Sequence, residues 1–255
     1  METAHKAQLA PRVQCLPSAG DLLSRLQKLL DEKYCLSLLP EFTIVVEGKT
    51  DLDYLLHASQ LARDTYGEDL LAVPAHLSAS GTEIAIVTPL HPESRNAADA
   101  RERGGIPQVV RLAEDLRSYV FTLQLFRGLL FVFDHDSAGL EAQEKLGSFG
   151  YKSEQHSITL NPKSHSRACG RKQVVIEDLL SLRIQKEFFE GGHAWCSADY
   201  EDGAIVRFHW GHQSKHLLRN YVCKHATWED IREVGRILGR ARAVFGFPVK
   251  SELFC

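Results

Sequence analysis

Apolar positions along the chain follow two alternating rhythms, and each rhythm predicts an element. From Asp21 to about Lys33, Leu22, Leu23, Leu26, Leu29 and Leu30 recur at helical spacing, with Ser18 as N-cap and Pro40 closing the segment. Phe42–Val46 is a short continuous run rich in β-branched residues, the pattern of a strand buried on both faces. It stops at Glu47-Gly48, and Leu52, Leu55, Leu56 and Leu61 predict a helix from about Asp51 to Thr65. Leu70–Pro74 and Ile84–Thr88 are two further strand candidates, of which one belongs to the main sheet. Between Pro89 and Gly105 the chain is polar, with Asn96, Asp99 and Arg101–Arg103, and reads as a loop with a short helix. A helical pattern returns over 107–126 through Val109, Val110, Leu112, Leu116 and Val120. Leu129–Phe133 is the clearest buried strand. It ends at Asp134-His135-Asp136, after which Ser137-Ala138-Gly139 opens a helix to about Leu146.

Ser157–Leu160 reads as the next strand, and 161–173 as a basic loop containing Pro162 and Gly170. Val174–Ile176 is a short extended lead into Glu177-Asp178, followed by a helix through Leu179, Leu180, Leu182 and Ile184. Ala204–Trp210 alternates like an exposed strand or hairpin arm. Helices are expected over Ser214–Cys223 and Thr227–Val244, the second with Thr227 and Asp230 as a capping pair. Strands alternating with helices predict an α/β domain around a central, mostly parallel sheet, whose sites lie at the C-terminal strand ends. The division expected is a helical preamble over 1–40, the α/β domain over 41–180 and a mainly helical C-terminal extension over 181–255.

The length of 255 residues and 44% hydrophobic content suit one large domain or a medium one with an appendage. No apolar run reaches the ~18 residues that span a bilayer, and no basic-then-apolar leader opens the chain. A cytoplasmic protein with no membrane partner is expected. Cys15, Cys35, Cys169, Cys196, Cys223 and Cys255 form no CxxC pair and are spaced too widely for a disulfide scaffold. His193 with Cys196, and His209 with His212, have spacings a zinc site can use; scattered thiols and surface histidines are the preferred reading. A net charge of −3 argues against a uniformly basic coat. The distribution says more: 205–250 carries nine Lys/Arg against Glu229, Asp230 and Glu233, whereas 177–202 carries seven acidic residues against two basic ones. A neutral total therefore hides a basic face beside an acidic one.

Glu47, Asp134 and Asp136 each follow an apolar strand. In Asp134-His135-Asp136 an extended backbone points both carboxylates the same way and His135 the other. Carboxylates gathered at one strand end repel unless a cation lies between them, and Mg²⁺ prefers such oxygen ligands. Asp51 lies one turn into the following helix, within reach of the same place. The bland alternatives are helix capping, most of all by Asp136, and helix N-terminal acids for Glu177 and Asp178. Gly48-Lys49-Thr50 lacks the glycine a phosphate-binding loop needs at position 43, which is Thr43.

The strings Val45-Val46-Glu47-Gly48-Lys49-Thr50-Asp51 and Phe131-Val132-Phe133-Asp134-His135-Asp136-Ser137-Ala138-Gly139 resemble the Toprim domain over about residues 40–180. Within that superfamily the chain is most similar to the nuclease half of OLD-family endonucleases. The resemblance implies a Toprim-like Rossmannoid fold and a nuclease that uses one or two Mg²⁺ or Mn²⁺ ions, with DNA favoured over RNA. It implies Glu47, Asp51, Asp134, Asp136, Ser137, Glu177 and Asp178 as metal residues. Here Glu177 and Asp178 stand in the Ile176-Glu177-Asp178-Leu179-Leu180 context, with Glu177 preferred. It implies Lys215, in Ser214-Lys215-His216, as a catalytic partner to Glu47, Asp134 and Asp136. Gly104-Gly105 resembles the loop after the second Toprim strand, which makes Ile84–Thr88 that strand. OLD enzymes usually carry an ATPase domain ahead of the Toprim part, where this chain has about forty residues. An ATPase supplied by a separate protein or absent altogether, a homo-oligomer, and a role as effector in phage defence or repair are the expected partners and setting.

Candidate phosphate contacts are Lys49, Lys163, Arg167, Arg171, Lys172 and Arg219, together with Arg232, Arg236 and Arg240, which share one helix face. A solvated or partner-binding face is the plain alternative. Two other readings stay open: a catalytically silent Toprim scaffold, and a small-molecule phosphatase or phosphotransferase that uses the same ions.

Overall fold

The structure is a computed structural model describing residues 18–37, 39–77, 83–90, 105–168, 171–192 and 196–254. Most of the polar stretch after Pro89, with Gly104, lies outside the described residues, as do Cys15, Cys169, His193 and Cys255.

Four strands form the central sheet: β1 (Phe42–Val45), β2 (Ala85–Val87), β3 (Gly128–Phe133) and β4 (Ser157–Thr159). Their order is β2-β1-β3-β4 and every pairing is parallel. Side-chain alternation explains the two-sided burial. Ile44, Val46, Leu130 and Val132 enter one core, while Val45, Leu129, Phe131 and Phe133 enter the other. The architecture is thus a Rossmann-like α/β fold with a parallel sheet between helical layers.

On the first face lie α2 (Lys49–Tyr66), α5 (Leu182–Glu190), α6 (His212–His225) and α7 (Trp228–Val244), which contribute Leu55, Ile184, Leu218 and Ile231 to the core. On the second lie α1 (Ala19–Tyr34), α3 (Ile106–Phe121) and α4 (Ser137–Ser148), through Leu26, Leu112 and Leu146. The preamble helix α1 therefore shares a core with the sheet. Ser18 caps it as expected, with Asp21 returning a hydrogen bond to the Ser18 N–H at 3.1 Å.

Of the two strand candidates, Ile84–Thr88 supplies the sheet strand β2, and Leu70–Pro74 makes an isolated bridge, Ala72 with Glu83. Two elements differ from the sequence expectation. The helix expected to run from Leu179 through Ile184 is broken in two. Residues 176–179 form a single 3-10 turn, and Ser181 then caps α5 afresh, its side chain accepting from the Ile184 N–H. Ala204–Trp210 (β6) is a hairpin arm whose partner, Cys196–Glu201 (β5), the sequence did not announce.

Among the described residues no helix is long and apolar enough to cross a membrane.

Candidate functional site

The chain steps from β1 out to β2, then back across β1 to β3. That reversal leaves a crevice beyond the C-terminal ends of β1 and β3, the place where open α/β sheets bind ligands. Glu47 and Asp134 occupy these two exits. Glu47 Oε1 accepts the Asp134 N–H at 2.9 Å, which fastens one exit to the other. Asp134 Oδ1 accepts the Ile176 N–H at 3.1 Å, drawing in the 3-10 turn that carries Glu177. Asp51, in the first turn of α2, accepts the Gly48 N–H at 3.0 Å. Lys215, in the first turn of α6, donates to Glu177 Oε2 at 2.8 Å. Glu47, Asp51, Asp134, Glu177 and Lys215 thereby line one pocket of about 280 Å³.

The rim of that pocket is made of helix starts. Gly48, Lys49 and Thr50 open α2, Gly105 caps α3, and His212 is the first residue of α6. The N-caps of these helices are Gly48, Gly105 and Gly211, and none supplies a side-chain cap. Helix N-termini without side-chain caps present N–H groups and positive dipole ends to an anion. Gly105 has φ 91°, a backbone region that glycine alone enters cheaply. Its N–H donates to Glu47 O at 2.9 Å, so this turn also holds the β1 exit.

The carboxylates crowd one another. Burial pushes Glu47 up to about 7, and the Asp136 charge adds to this against the pull of the Asp134 N–H and Lys215. Burial, followed by the charges of Glu47 and Glu177, pushes Asp51 up to about 8. Asp134 is driven well above the usual carboxylate range by burial and then by Asp51, Glu47 and Glu177. For Lys215, burial works against the charge, but Glu177, Asp134 and Asp51 outweigh it and raise its pKa. The pocket thus favours bound cations, whether protons or metal ions.

Glu177 is 2% exposed, and its Oε1 has no hydrogen-bond partner among the described residues. A buried carboxylate oxygen with nothing to accept is costly unless a ligand completes it. The donor set, all oxygen and mostly carboxylate, fits a hard divalent ion. Among the described residues no three His, Cys, Asp or Glu side chains already converge on a single metal position. Several of the carboxylate oxygens are instead engaged with backbone N–H groups or Lys215 around the pocket wall.

The other sequence candidates are distributed as follows. Asp136 is the N-cap of α4 and accepts the Gly139 N–H at 2.8 Å, while its charge is felt at Glu47. Ser137 begins α4 and is exposed. Asp178 does not line the pocket. It faces the opposite side of its turn, where Arg207 donates to both its oxygens at 2.8 and 2.6 Å and Arg171 pairs with Oδ1. Successive residues of the turn point apart, so Glu177 enters the crevice and Asp178 anchors hairpin β5–β6. His135 turns away from the carboxylates to Thr159 Oγ1 at 3.2 Å. His209 pairs with Asp199 at 2.9 Å, whereas His212 meets His216, so the zinc spacing is not realised as a pair.

The basic residues divide in two. Lys49, Lys163 and Lys172 are exposed, Lys49 on the pocket rim. The arginines are turned inward. Arg167 donates to the carbonyls of Leu179, Asp230 and Glu229. Arg171 reaches Asp178 and the Val206 carbonyl, and buried Arg219 pairs with Asp53 at 3.1 Å. Arg232 pairs with Glu229, Arg236 with Glu233 and the Phe254 carbonyl, and Arg240 with Glu154 and the Thr159 carbonyl. Arg236 and Arg240 thereby fasten α7 to other parts of the chain, whereas the Arg232 pair lies within the helix.

Sequence reasoning missed His212 and His216 as pocket residues. The available signal was their placement three before and one after Lys215, which puts all three on one face of a helix. Compared with family models, with curated proteins and with solved structures, the chain matches none, so its functional reading rests on the chemistry of this pocket and on the motifs that line it.

Proposed function

We propose that this chain is a metal-dependent phosphodiesterase acting on nucleic acid, with DNA the favoured substrate. In this reading it is a Toprim-type nuclease akin to the catalytic half of OLD-family enzymes. The observation that carries the proposal is the buried, unsatisfied Oε1 of Glu177, set in a pocket where Glu47, Asp51 and Asp134 are all held toward their protonated forms. An unsatisfied acidic wall facing a rim of glycine-capped helix starts suits a phosphate bridged by cations.

Glu47, Asp51, Asp134 and Glu177 would hold one or two Mg²⁺ or Mn²⁺ ions, with Asp136 contributing charge from the α4 N-cap. Such ions polarise a phosphodiester and lower the cost of generating a hydroxide nucleophile and an alkoxide leaving group. The protein's own part is positional. The hydrogen bond from Asp134 N–H to Glu47 fixes the two strand exits, and the starts of α2 and α6, without side-chain caps, lie at the pocket rim where an anion would be received. Lys215 keeps its proton against burial and so remains a cation beside charge developing on phosphorus oxygens. Lys49, Lys163 and Lys172 are the exposed cations assigned to the substrate backbone. The inward arginines, with Asp178, shape the scaffold that presents the pocket.

The test incubates the protein with supercoiled plasmid, linear DNA and RNA in Mg²⁺ or Mn²⁺. The controls are Asp134→Ala/Asp136→Ala and Glu177→Gln, the latter sparing the α4 cap. Metal-dependent strand scission that both variants lose is expected. Cleavage no greater than that of the variants overturns the reading, and turnover of a small phosphate monoester with intact nucleic acid replaces it with a phosphatase. Scission only with an added ATPase partner from the same cells identifies a split assembly.

A further inference from the structure

We propose that Tyr54 is a positioning residue for Glu177, its phenol O–H tied to the carboxylate Oε1 through one buried water. The inference rests on the ion-binding part of the phosphodiesterase reading and deepens it. Tyr54 lies in α2 three residues after Asp51, so the two share a helix face. Asp51 and Glu177 line the same pocket, whereas Tyr54 is fully buried. Against α2 packs α6, with Lys215 on the pocket and buried Arg219 one turn further along, paired with Asp53 at 3.1 Å.

Two buried oxygens meet the same difficulty. Among the described residues neither Tyr54 Oη nor Glu177 Oε1 has a hydrogen-bond partner. A buried polar atom without a partner is costly, and folded proteins settle such atoms with ordered water wherever two or more lie together. The two chemistries are complementary. Burial, followed by the charge of Glu177, raises the phenol well above its usual range, and Arg219 opposes this without reversing it. Tyr54 therefore keeps its proton and is a donor, while the carboxylate is an acceptor. Glu177 acts on the phenol more strongly than Asp51 does, which makes it foremost among the charges around that hydroxyl. A water between the two accepts the phenol O–H and donates to Oε1.

The other oxygen of Glu177, Oε2, already accepts from Lys215 at 2.8 Å. With Tyr54 acting on Oε1, the carboxylate is held at both oxygens and restrained from rotating about its last side-chain bond. A carboxylate oxygen has more than one lone pair, so Oε1 keeps a direction open for an ion. Groups that orient the ligands of a metal set its affinity by about 10–100-fold. In this arrangement Tyr54 touches neither ion nor phosphate and acts through Glu177 alone.

The experiment titrates Mn²⁺ into wild type and Tyr54→Phe by calorimetry, beside urea unfolding of both ion-free proteins. Phenylalanine keeps the ring and removes only the oxygen. Mn²⁺ affinity is expected to fall about tenfold in Tyr54→Phe. The same substitution made in Glu177→Gln is expected to change affinity by about twofold or less, because the ligand it positions is already gone. A purely structural role moves the urea midpoint and leaves the affinity where it was, so an unchanged affinity overturns the proposal whatever the midpoint does. An equal loss in both backgrounds also overturns it, since the tyrosine then acts on the ion by a route other than Glu177. Wild type that binds Mn²⁺ but cleaves no nucleic acid overturns the phosphodiesterase reading, while the affinities still decide the role of Tyr54. Wild type that binds no Mn²⁺ overturns both, so the two failures are told apart.

Discussion

At the scale of single residues, the Glu177–Lys215 pair shows how the site balances buried charge. Glu177 is almost fully enclosed, Lys215 reaches one of its oxygens at 2.8 Å, and the other oxygen is unsatisfied. Removing only the lysine leaves a buried carboxylate without its partner, whereas removing both charges relieves the conflict. Lys215→Met is expected to destabilise the ion-free protein by about 2 kcal/mol, at the low end for buried pairs because the lysine is partly solvated. Lys215→Met/Glu177→Gln is expected to recover most of that loss in urea unfolding. A double variant no more stable than the single one removes the argument. Gly139 is the other decisive residue. A Cβ there would stand 2.1 Å from the Asp134 carbonyl oxygen, which is backbone and cannot swing aside. Gly139→Ala must push the α4 start away from the β3 exit, with an expected cost of about 2–3 kcal/mol. The same displacement moves Asp134 and Asp136, so divalent-ion affinity should fall with stability. Unchanged ion titration in a stably folded Gly139→Ala would show that the turn does not set the site.

At the scale of elements, the start of α7 is a junction as well as a helix end. Asp230 accepts the Thr227 N–H at 2.9 Å as a cap, and it also binds Ser181 and Arg183 at the start of α5. Burial opposes its charge, but these hydrogen bonds outweigh burial and hold it down to about 2. A carboxyl whose folded pKa is depressed contributes stability that is complete above its unfolded value and disappears as pH falls through the folded one. Between about pH 4 and pH 2 the protein should therefore lose about 1–2 kcal/mol through this group, discounted for the solvation of Arg183. In Asp230→Asn that portion of the acid slope should be missing from urea midpoints measured against pH; a slope identical to wild type would assign it to other acids. The Thr227–Asp230 pair was legible in sequence because capping is local, as were β1 and β3, whose apolar runs are buried on both faces. Hairpin arm β5 was not. Ser197, Asp199, Tyr200 and Glu201 give it no apolar rhythm, because it pairs at the surface and takes its register from β6. Asp178 was misplaced for a similar reason: its partner Arg207 lies 29 residues away on that hairpin, and no local pattern reveals the pairing.

At the scale of the whole molecule, Glu47 and Asp134 were readable because a buried parallel strand must end somewhere, and its C-terminal end in an open α/β sheet is where ligands sit. The rim was not readable, since the meeting of the α2, α3 and α6 starts depends on how the sheet reverses direction and on how α6 folds back from the far end of the chain. Their assembly makes the stability of the ion-free protein depend on pH in a specific direction. Glu47 is raised to about 7 and Asp51 to about 8, both above the carboxylate range of an unfolded chain. Between about pH 4 and pH 8 the folded state therefore holds protons that the unfolded state has released, so stability falls as pH rises through that window. On the proposed reading a divalent ion would bind the deprotonated pocket, and its stabilisation would grow over the same range. At about one hundred times the dissociation constant it supplies about 2.7 kcal/mol, which for a chain of 255 residues is a rise in Tm of about 5–10 °C. Thermal melts across pH 5–8.5, with chelator and then with Mg²⁺ or Mn²⁺, read both effects at once. The chelated protein should melt lower as pH rises, the gap opened by the ion should widen with pH, and Asp51→Asn should flatten both trends. A gap that is absent, or constant with pH, would mean that these carboxylates crowd together for a reason other than holding a cation.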